Sequence, residues 1–278
     1  MKNAGSQWDY VQQLQRQGHT RAAARQALAF RLFWPYAEEA PMAQLTYARL
    51  LEQRGHLLDA FDAYQYLLDH YIGRFDFKNV MESQRRIARE VMEAKRGKFL
   101  FLPGFSAPER AIPLLEKIVQ SAPEDAGTPE DYYLIGVAND RIYEYEKAIN
   151  AYFATMNRFP DSDAAEKAAY AQAIAHIKLS DDAPNDKRAL DTARAATMLY
   201  LQRYPRTENR PYMTAEIERL TDKQAANAFS LALYYDTILK KPESAVLEYQ
   251  NFLTKFPNDK RSAEARRRIQ QLSPRTET

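Results

Sequence analysis

Cysteine is absent from this 278-residue chain, which excludes disulfides, thiolate metal sites and cysteine nucleophiles. Glycine is scarce, at 8 residues, and so is valine. Little material is left for a sheet, while abundant Ala, Leu, Glu, Arg, Gln and Lys favour helix throughout. Neither charge dominates: 39 Lys and Arg are interleaved with 37 Asp and Glu, for a formal charge of +2. The basic stripe of a nucleic-acid binder is missing along most of the length, so no nucleic-acid partner is expected. No segment approaches the roughly 18 apolar residues that suggest a membrane span. The opening MKNAGSQW has no apolar core of a signal peptide. The chain as it stands therefore reads as soluble.

Catalytic signatures are missing too. There is no Gly-rich phosphate loop and no Gly-x-Ser-x-Gly elbow. The histidines, His19, His56, His70 and His176, show no metal-ligand spacing with a carboxylate. The acidic pairs Glu38-Glu39 and Asp181-Asp182 sit in connections before helices, where carboxylates complement the helix dipole. The expectation is no enzyme, no cofactor and no metal. A catalytic helical-repeat protein would instead need a buried cluster of histidine and carboxylate.

What is present is a repeat. The stretch Tyr132–Pro160 follows the tetratricopeptide pattern of about 34 residues, Trp-x-x-Leu-Gly-x-x-Tyr, then Ala-x-x-x-Phe, then Pro. Tyr132 takes the Trp slot, Ile135 and Gly136 follow, Asn139 replaces the Tyr, and Ala148, Tyr152 and Pro160 complete the unit. The small residues allow close helix approach, the aromatics fill space between units, and proline ends the helix.

The pattern recurs along the chain. A polar lead-in, 1–6, precedes a unit with Tyr10, Val11 and Leu14, a Gly18-His19 turn, a second helix capped by Thr20 with Ala23, Ala27 and Phe30, and Pro35. The next has Tyr47, Ala48 and Leu51, then Gly55-His56, then Ala60, Tyr64 and Leu67, with Ile72-Gly73 at the junction. A third, from Phe77, has Val80, Met81, Ile87, Ala88 and Val91, and later Ala111, Leu115, Ile118 and Pro123. Its helices are separated by an apolar insertion, 95–108. A fifth pairs a helix over 164–179 with one holding Ala193 and Tyr200. A sixth opens with an unusually long helix over 211–239 and continues through Ala245, Tyr249, Phe252 and Pro257. The junctions RFPDS, RYPRT and KFPND share one layout. This predicts an all-α fold, an α-solenoid of about six tetratricopeptide-like helical hairpins with a C-terminal capping helix. The organisation is lead-in 1–6, repeats one to three over 7–126, repeat four over 127–162, repeats five and six with the cap over 163–272, and a tail, 273–278.

Three surfaces are candidates for binding. Counting register from the Gly turns, Trp8, Gln12 and Gln15 of the first unit, and Leu45, Arg49 and Gln53 of the second, should line a peptide groove. There polar side chains hydrogen-bond an extended main chain, and Trp8 is either an anchor or covered by the lead-in. The insertion presents Phe99, Phe101 and Phe105, which either pack back on the solenoid or contact a partner. The last helix and tail hold Lys260, Arg261, Arg266, Arg267, Arg268 and Arg275 against Glu264 and Glu277. These cations complement the helix C-terminus, or Arg266, Arg267 and Arg268 pair with acidic residues of a docking subunit.

The third-unit insertion, with Lys95–Phe99 and Pro103-Gly104, and the stretch Ala226–Pro257, ANAFSLALYYDTILKKPESAVLEYQNFLTKFP, resemble the BamD family, the helical-repeat lipoproteins of the outer-membrane β-barrel assembly machinery. The resemblance spans about Gln7 to Leu272, in the form of distant Gram-negative lineages with an inserted hairpin. It implies a non-enzymatic scaffold on the periplasmic face of the outer membrane. Its N-terminal repeats would receive C-terminal segments of unfolded outer-membrane proteins, and its C-terminal repeats would dock the barrel-assembly subunit. The family is anchored by a lipidated N-terminal cysteine, whereas this sequence has neither cysteine nor signal peptide. The alternative is another periplasmic tetratricopeptide adaptor, for envelope synthesis or cell division.

Overall fold

The computed structural model describes residues 3–96 and 105–273. The chain forms two compact units, Met1–Glu144 and Tyr145–Thr278. The first contains α1 (Ala4–Arg16), α2 (Thr20–Phe33), α3 (Ala40–Gln53), α4 (Leu57–His70), α5 (Phe77–Glu93), α6 (Ile112–Ser121) and α7 (Thr128–Arg141). The second contains α8 (Tyr145–Arg158), α9 (Asp163–Asp182), α10 (Lys187–Arg203), α11 (Arg210–Leu233), α12 (Pro242–Lys255) and α13 (Ser262–Leu272). Within each unit every helix packs on the next in the chain, the nearest-neighbour arrangement of an all-α solenoid. The last helix, α13, caps α12.

The packing follows the small-then-large pattern. Ala60 and Tyr64, Ala148 and Tyr152, and Ala245 and Tyr249 lie four residues apart on second helices, and all six are buried. One turn of helix separates each pair, so alanine admits the neighbouring helix closely while tyrosine fills the gap beside it.

One turn geometry closes the α1–α2 and α3–α4 hairpins and ends α7. Gly18 and Gly55 take the left-handed conformation, φ +74° and +75°. The following amides reach back to the helix, His19 N–H to Leu14 C=O at 2.9 Å and His56 N–H to Leu51 C=O at 3.0 Å. This is the Schellman cap, which satisfies carbonyls that the helix end leaves open. Tyr143 holds the same role without glycine, at φ 64°. Glu144 N–H then bonds Asn139 C=O at 3.0 Å. Lys240 is also left-handed, at φ 51°, but there Lys241 N–H reaches six residues back to Tyr235 C=O at 2.9 Å, a wider closure.

Three expectations need correction. Thr20 is the first residue of α2, and His19 holds the cap position without a side-chain hydrogen bond. The insertion is not loop throughout, because its ends pair as short antiparallel strands, β1 (Lys95–Arg96) with β2 (Phe105–Ser106). A 3₁₀ turn, Pro108–Arg110, then leads into α6. The long helix of the sixth repeat is not α-helical to its end, since α11 passes at Tyr234 into a π turn running to Ile238.

Candidate functional site

Helices α3, α4 and α5 enclose a polar cleft of about 520 Å³ in the first unit. Its wall carries Arg49, Glu52 and Gln53 from α3, Tyr64 from α4, and Asn79, Glu82, Ser83, Arg86 and Glu90 from α5. Glu52 is its fixed point. Arg86 donates to Glu52 Oε1 through Nε at 2.8 Å and Nη2 at 2.7 Å, and Tyr64 Oη donates to Oε2 at 2.8 Å. Burial, together with the Glu52 carboxylate, pushes the Tyr64 hydroxyl up to about 12. With both oxygens of Glu52 engaged, the carboxylate is a structural acceptor rather than a base poised for proton transfer.

A second cleft of about 360 Å³ adjoins it, lined by Gln15, Thr20, Thr46, Arg49, Leu50 and Gln53. Arg49 and Gln53 therefore face both clefts. Arg49 Nη2 donates to Asn79 Oδ1 at 3.4 Å, a long bond that leaves much of the guanidinium available. Amides from Gln15, Gln53 and Asn79 supply donors and acceptors along one face of α1, α3 and α5. Such a surface can hydrogen-bond the main chain of an extended peptide while Arg49 meets a carboxylate.

The proposed groove residues divide. Gln15, Arg49 and Gln53 come together at the clefts. Leu45 does not face a groove: it is buried in the core, although it stands one turn before the exposed Arg49 on the same helix face. Trp8 is half-buried and meets Phe30 edge-to-face, with ring centroids 6.0 Å apart. Its anchoring surface is thus used within its own hairpin, and neither Trp8 nor the half-buried Gln12 lines a cleft.

Phe99 and Phe101 lie outside the described residues, and Phe105 is described only as backbone of β2. In the last helix, Arg266 and Arg267 are exposed, whereas Arg268 turns inward. Its Nε and Nη2 grip the two oxygens of Asp236 at 2.7 and 2.6 Å. The Arg268 hydrogen bond holds the Asp236 carboxyl below its ordinary value against opposing burial, and Tyr249 Oη adds a donor at 3.1 Å. All three arginines stand mid-helix and the last turn of α13 has no base, so they do not serve the helix C-terminus as expected.

The histidines and acidic pairs also find places. His19 and His56 precede α2 and α4, His70 stacks on Tyr66 at 3.9 Å, and burial on α9 pushes His176 down. Asp181-Asp182 ends α9 rather than preceding a helix, and Asp181 is held by Arg219 and Lys223 at 2.8 and 2.6 Å. Among the described residues no group of three or more His, Asp or Glu side chains is placed to hold a metal ion, and no helix is long and apolar enough to cross a membrane.

Glu52, Tyr64, Asn79 and Arg86 were not anticipated at the cleft. Glu52 and Arg86 are 34 residues apart, close to one repeat length, so equivalent faces of successive first helices meet. Searching for opposite charges at the repeat period would have found the pair.

No protein-family model matches the chain, and no curated protein matches it. Solved structures similar to it include a tetratricopeptide repeat protein from Parabacteroides merdae, 13% identical, covering 98% of this chain and 99% of that one, with a TM-score of 0.35. A MamA protein is 18% identical over 82% of this chain and 96% of its own, with a TM-score of 0.40. The C-terminal part of a repeat protein from Cytophaga hutchinsonii is 16% identical over 91% and 83%, with a TM-score of 0.38. The fold rests on the helix pairing described above, and these likenesses say nothing of partners.

Proposed function

We propose that this chain is a non-enzymatic protein-interaction scaffold that captures an extended peptide on the α1, α3 and α5 face of its first unit. The observation that carries this reading is the pair of adjoining polar clefts sharing Arg49 and Gln53. Their side chains offer hydrogen-bonding groups in a row, and the half-buried carboxylate among them, Glu52, is tied up by Arg86 and Tyr64.

The finer reading places the scaffold in the outer-membrane β-barrel assembly machinery, on the periplasmic face. There the peptide is the C-terminal segment of an unfolded barrel protein, and the second unit docks the barrel-assembly subunit. Support for it is the sequence resemblance at the third-unit insertion and over Ala226–Pro257.

The test is a titration of the full chain with a labelled peptide copied from the C-terminal strand of an outer-membrane barrel protein, read by fluorescence anisotropy. Saturable binding is expected, and Arg49→Ala with Gln53→Ala should weaken it roughly tenfold. Binding unchanged in that variant would overturn the clefts as the site. Failure of the peptide to bind, together with failure to co-purify with the periplasmic domains of the barrel-assembly subunit, would overturn the finer reading.

A further inference from the structure

The two clefts that adjoin at Arg49 and Gln53 differ in charge. Among the described residues, Arg49 is the single charged side chain on the wall of the α1–α3 cleft. Five charged side chains meet in the α3–α5 cleft, and two of them cancel, because Arg86 is spent on Glu52. Arg49 stands on the α3 ridge between the clefts, where its one hydrogen bond is the long contact to Asn79. That leaves Glu82 and Glu90 on the far wall, one helical turn to either side of Arg86. Glu82 reaches only Lys78, at 4.0 Å, with both side chains mostly exposed, a contact worth little. Glu90 is exposed and, among the described residues, engages no cation within 4.0 Å.

A ligand that fills both clefts must therefore carry both signs of charge, placed to match. A polyanion would lie against Glu82 and Glu90, and a polycation against Arg49. The ridge between the clefts is one helix wide. Neighbouring helices stand about 8–10 Å apart, which an extended chain spans in about three residues at roughly 3.3 Å each. The amides of Gln15, Gln53 and Asn79 take the main chain along the way. A second copy of this folded chain does not supply such a segment. Outside the insertion, and among the described residues, successive helices are joined by turns of three to six residues closed by backbone hydrogen bonds. These offer no extended run.

We infer that the paired clefts select an extended segment of another protein that carries a carboxylate and a lysine or arginine about three residues apart. The carboxylate lies against Arg49 in the α1–α3 cleft, and the cation lies against Glu82 or Glu90 in the α3–α5 cleft. This rests on the peptide-capture reading and adds which peptides are taken. Neutral segments are held through their main chain alone. Like-charged segments meet one repulsive wall, and that repulsion supplies selectivity alongside the attraction.

The probe is a set of short, end-blocked peptides of Ser, Thr and Gln that differ only in two charged positions. They are titrated against the full chain by fluorescence anisotropy, beside the barrel-derived peptide. Peptides with one aspartate and one lysine about three residues apart are expected to bind roughly tenfold tighter than neutral, doubly acidic or doubly basic ones, and the advantage should fade at high salt. Arg49→Glu should move the preference to doubly basic peptides, and Glu82→Lys with Glu90→Lys should move it to doubly acidic ones. All three positions are exposed, so melting temperatures should stay near the parent's. Equal binding of the neutral and mixed-charge peptides, or a preference unmoved by Glu82→Lys with Glu90→Lys, would overturn this inference and leave peptide capture standing. Binding of the barrel-derived peptide alone would do the same. A dimer of the chain dissolved by Arg49→Glu would overturn the assignment to another protein. Failure of every peptide to bind would overturn the capture reading and this inference with it.

Discussion

Arg85 shows how much one side chain can hold in this fold. It lies within α5 and donates to Asp131 of α7 at 2.8 Å while pairing with Asp125 at 2.6 Å, and the Asp131 side chain has no exposed area. Gly127 lies against the guanidinium: a Cβ there would stand 2.5 Å from Arg85 Cζ. Gly127→Ala is therefore expected to push Arg85 off its carboxylates and cost about 1–3 kcal/mol. Arg85→Met, which strands Asp131 in the interior, should cost about 3–5 kcal/mol. Chemical denaturation followed by circular dichroism measures both, and an alanine variant as stable as the parent would show that the guanidinium moves freely. The Asp236–Arg268 pair makes a pH prediction. The folded pKa of Asp236 is depressed, so its contribution is complete above the ordinary carboxylate range and disappears as pH falls through the folded value. Arg268→Met should cost about 1–3 kcal/mol near neutrality, given the partial exposure of the arginine. That cost should shrink toward zero on acidification below about pH 4, as read from denaturant midpoints over a pH series.

At the scale of the element, four of the left-handed helix ends differ in one atom that matters. Gly18 and Gly55 carry no Cβ, and Tyr143 and Lys240 do. Gly55→Ala should cost about 1 kcal/mol, whereas Lys240→Gly should gain about 0.5–1 kcal/mol by relieving the left-handed strain. Melting temperatures that shift the same way for both substitutions would contradict this account. The contrast also explains what was legible beforehand. Gly18-His19 and Gly55-His56 announced their turns, and the alanine–tyrosine spacing announced the second helices, since both patterns arise from local geometry. The π turn at Tyr234 and the strand pair flanking the insertion carried no such mark. For the candidate site, register counting named Arg49, Gln53 and Gln15, which are exposed and line the clefts. It put Leu45 in the groove because it shares a face with Arg49, yet one turn away that face is buried, and it overlooked that Trp8 has Phe30 as a neighbour. Those outcomes depend on which faces the adjacent hairpins cover, a tertiary matter that a single repeat does not encode.

For the whole molecule, 39 basic and 37 acidic side chains nearly balance, and among the described residues some of them pair between successive hairpins. Arg86 pairs with Glu52, Arg219 with Asp181, and Arg261 with Asp222, each partner 34 to 39 residues away. Most of these pairs are open to solvent and worth little individually, while apolar burial at the alanine–aromatic contacts supplies the larger share. Raising salt from about 0.05 to about 1 M should therefore lower the melting temperature by only a few degrees. A collapse of stability over that range would assign the ion pairs a larger part. The inward pair of Arg85 and Asp131 stands apart from these. It joins α5 to α7 across the intervening α6, so removing the segment that bears Arg85 would leave a buried carboxyl without its guanidinium. Tandem arrays commonly gain and lose units by duplication and deletion. Here that route to a shorter chain carries the cost of an unpaired Asp131 unless it is replaced in the same event, which makes this aspartate a constraint on the gene's possible lengths as much as on the protein's stability.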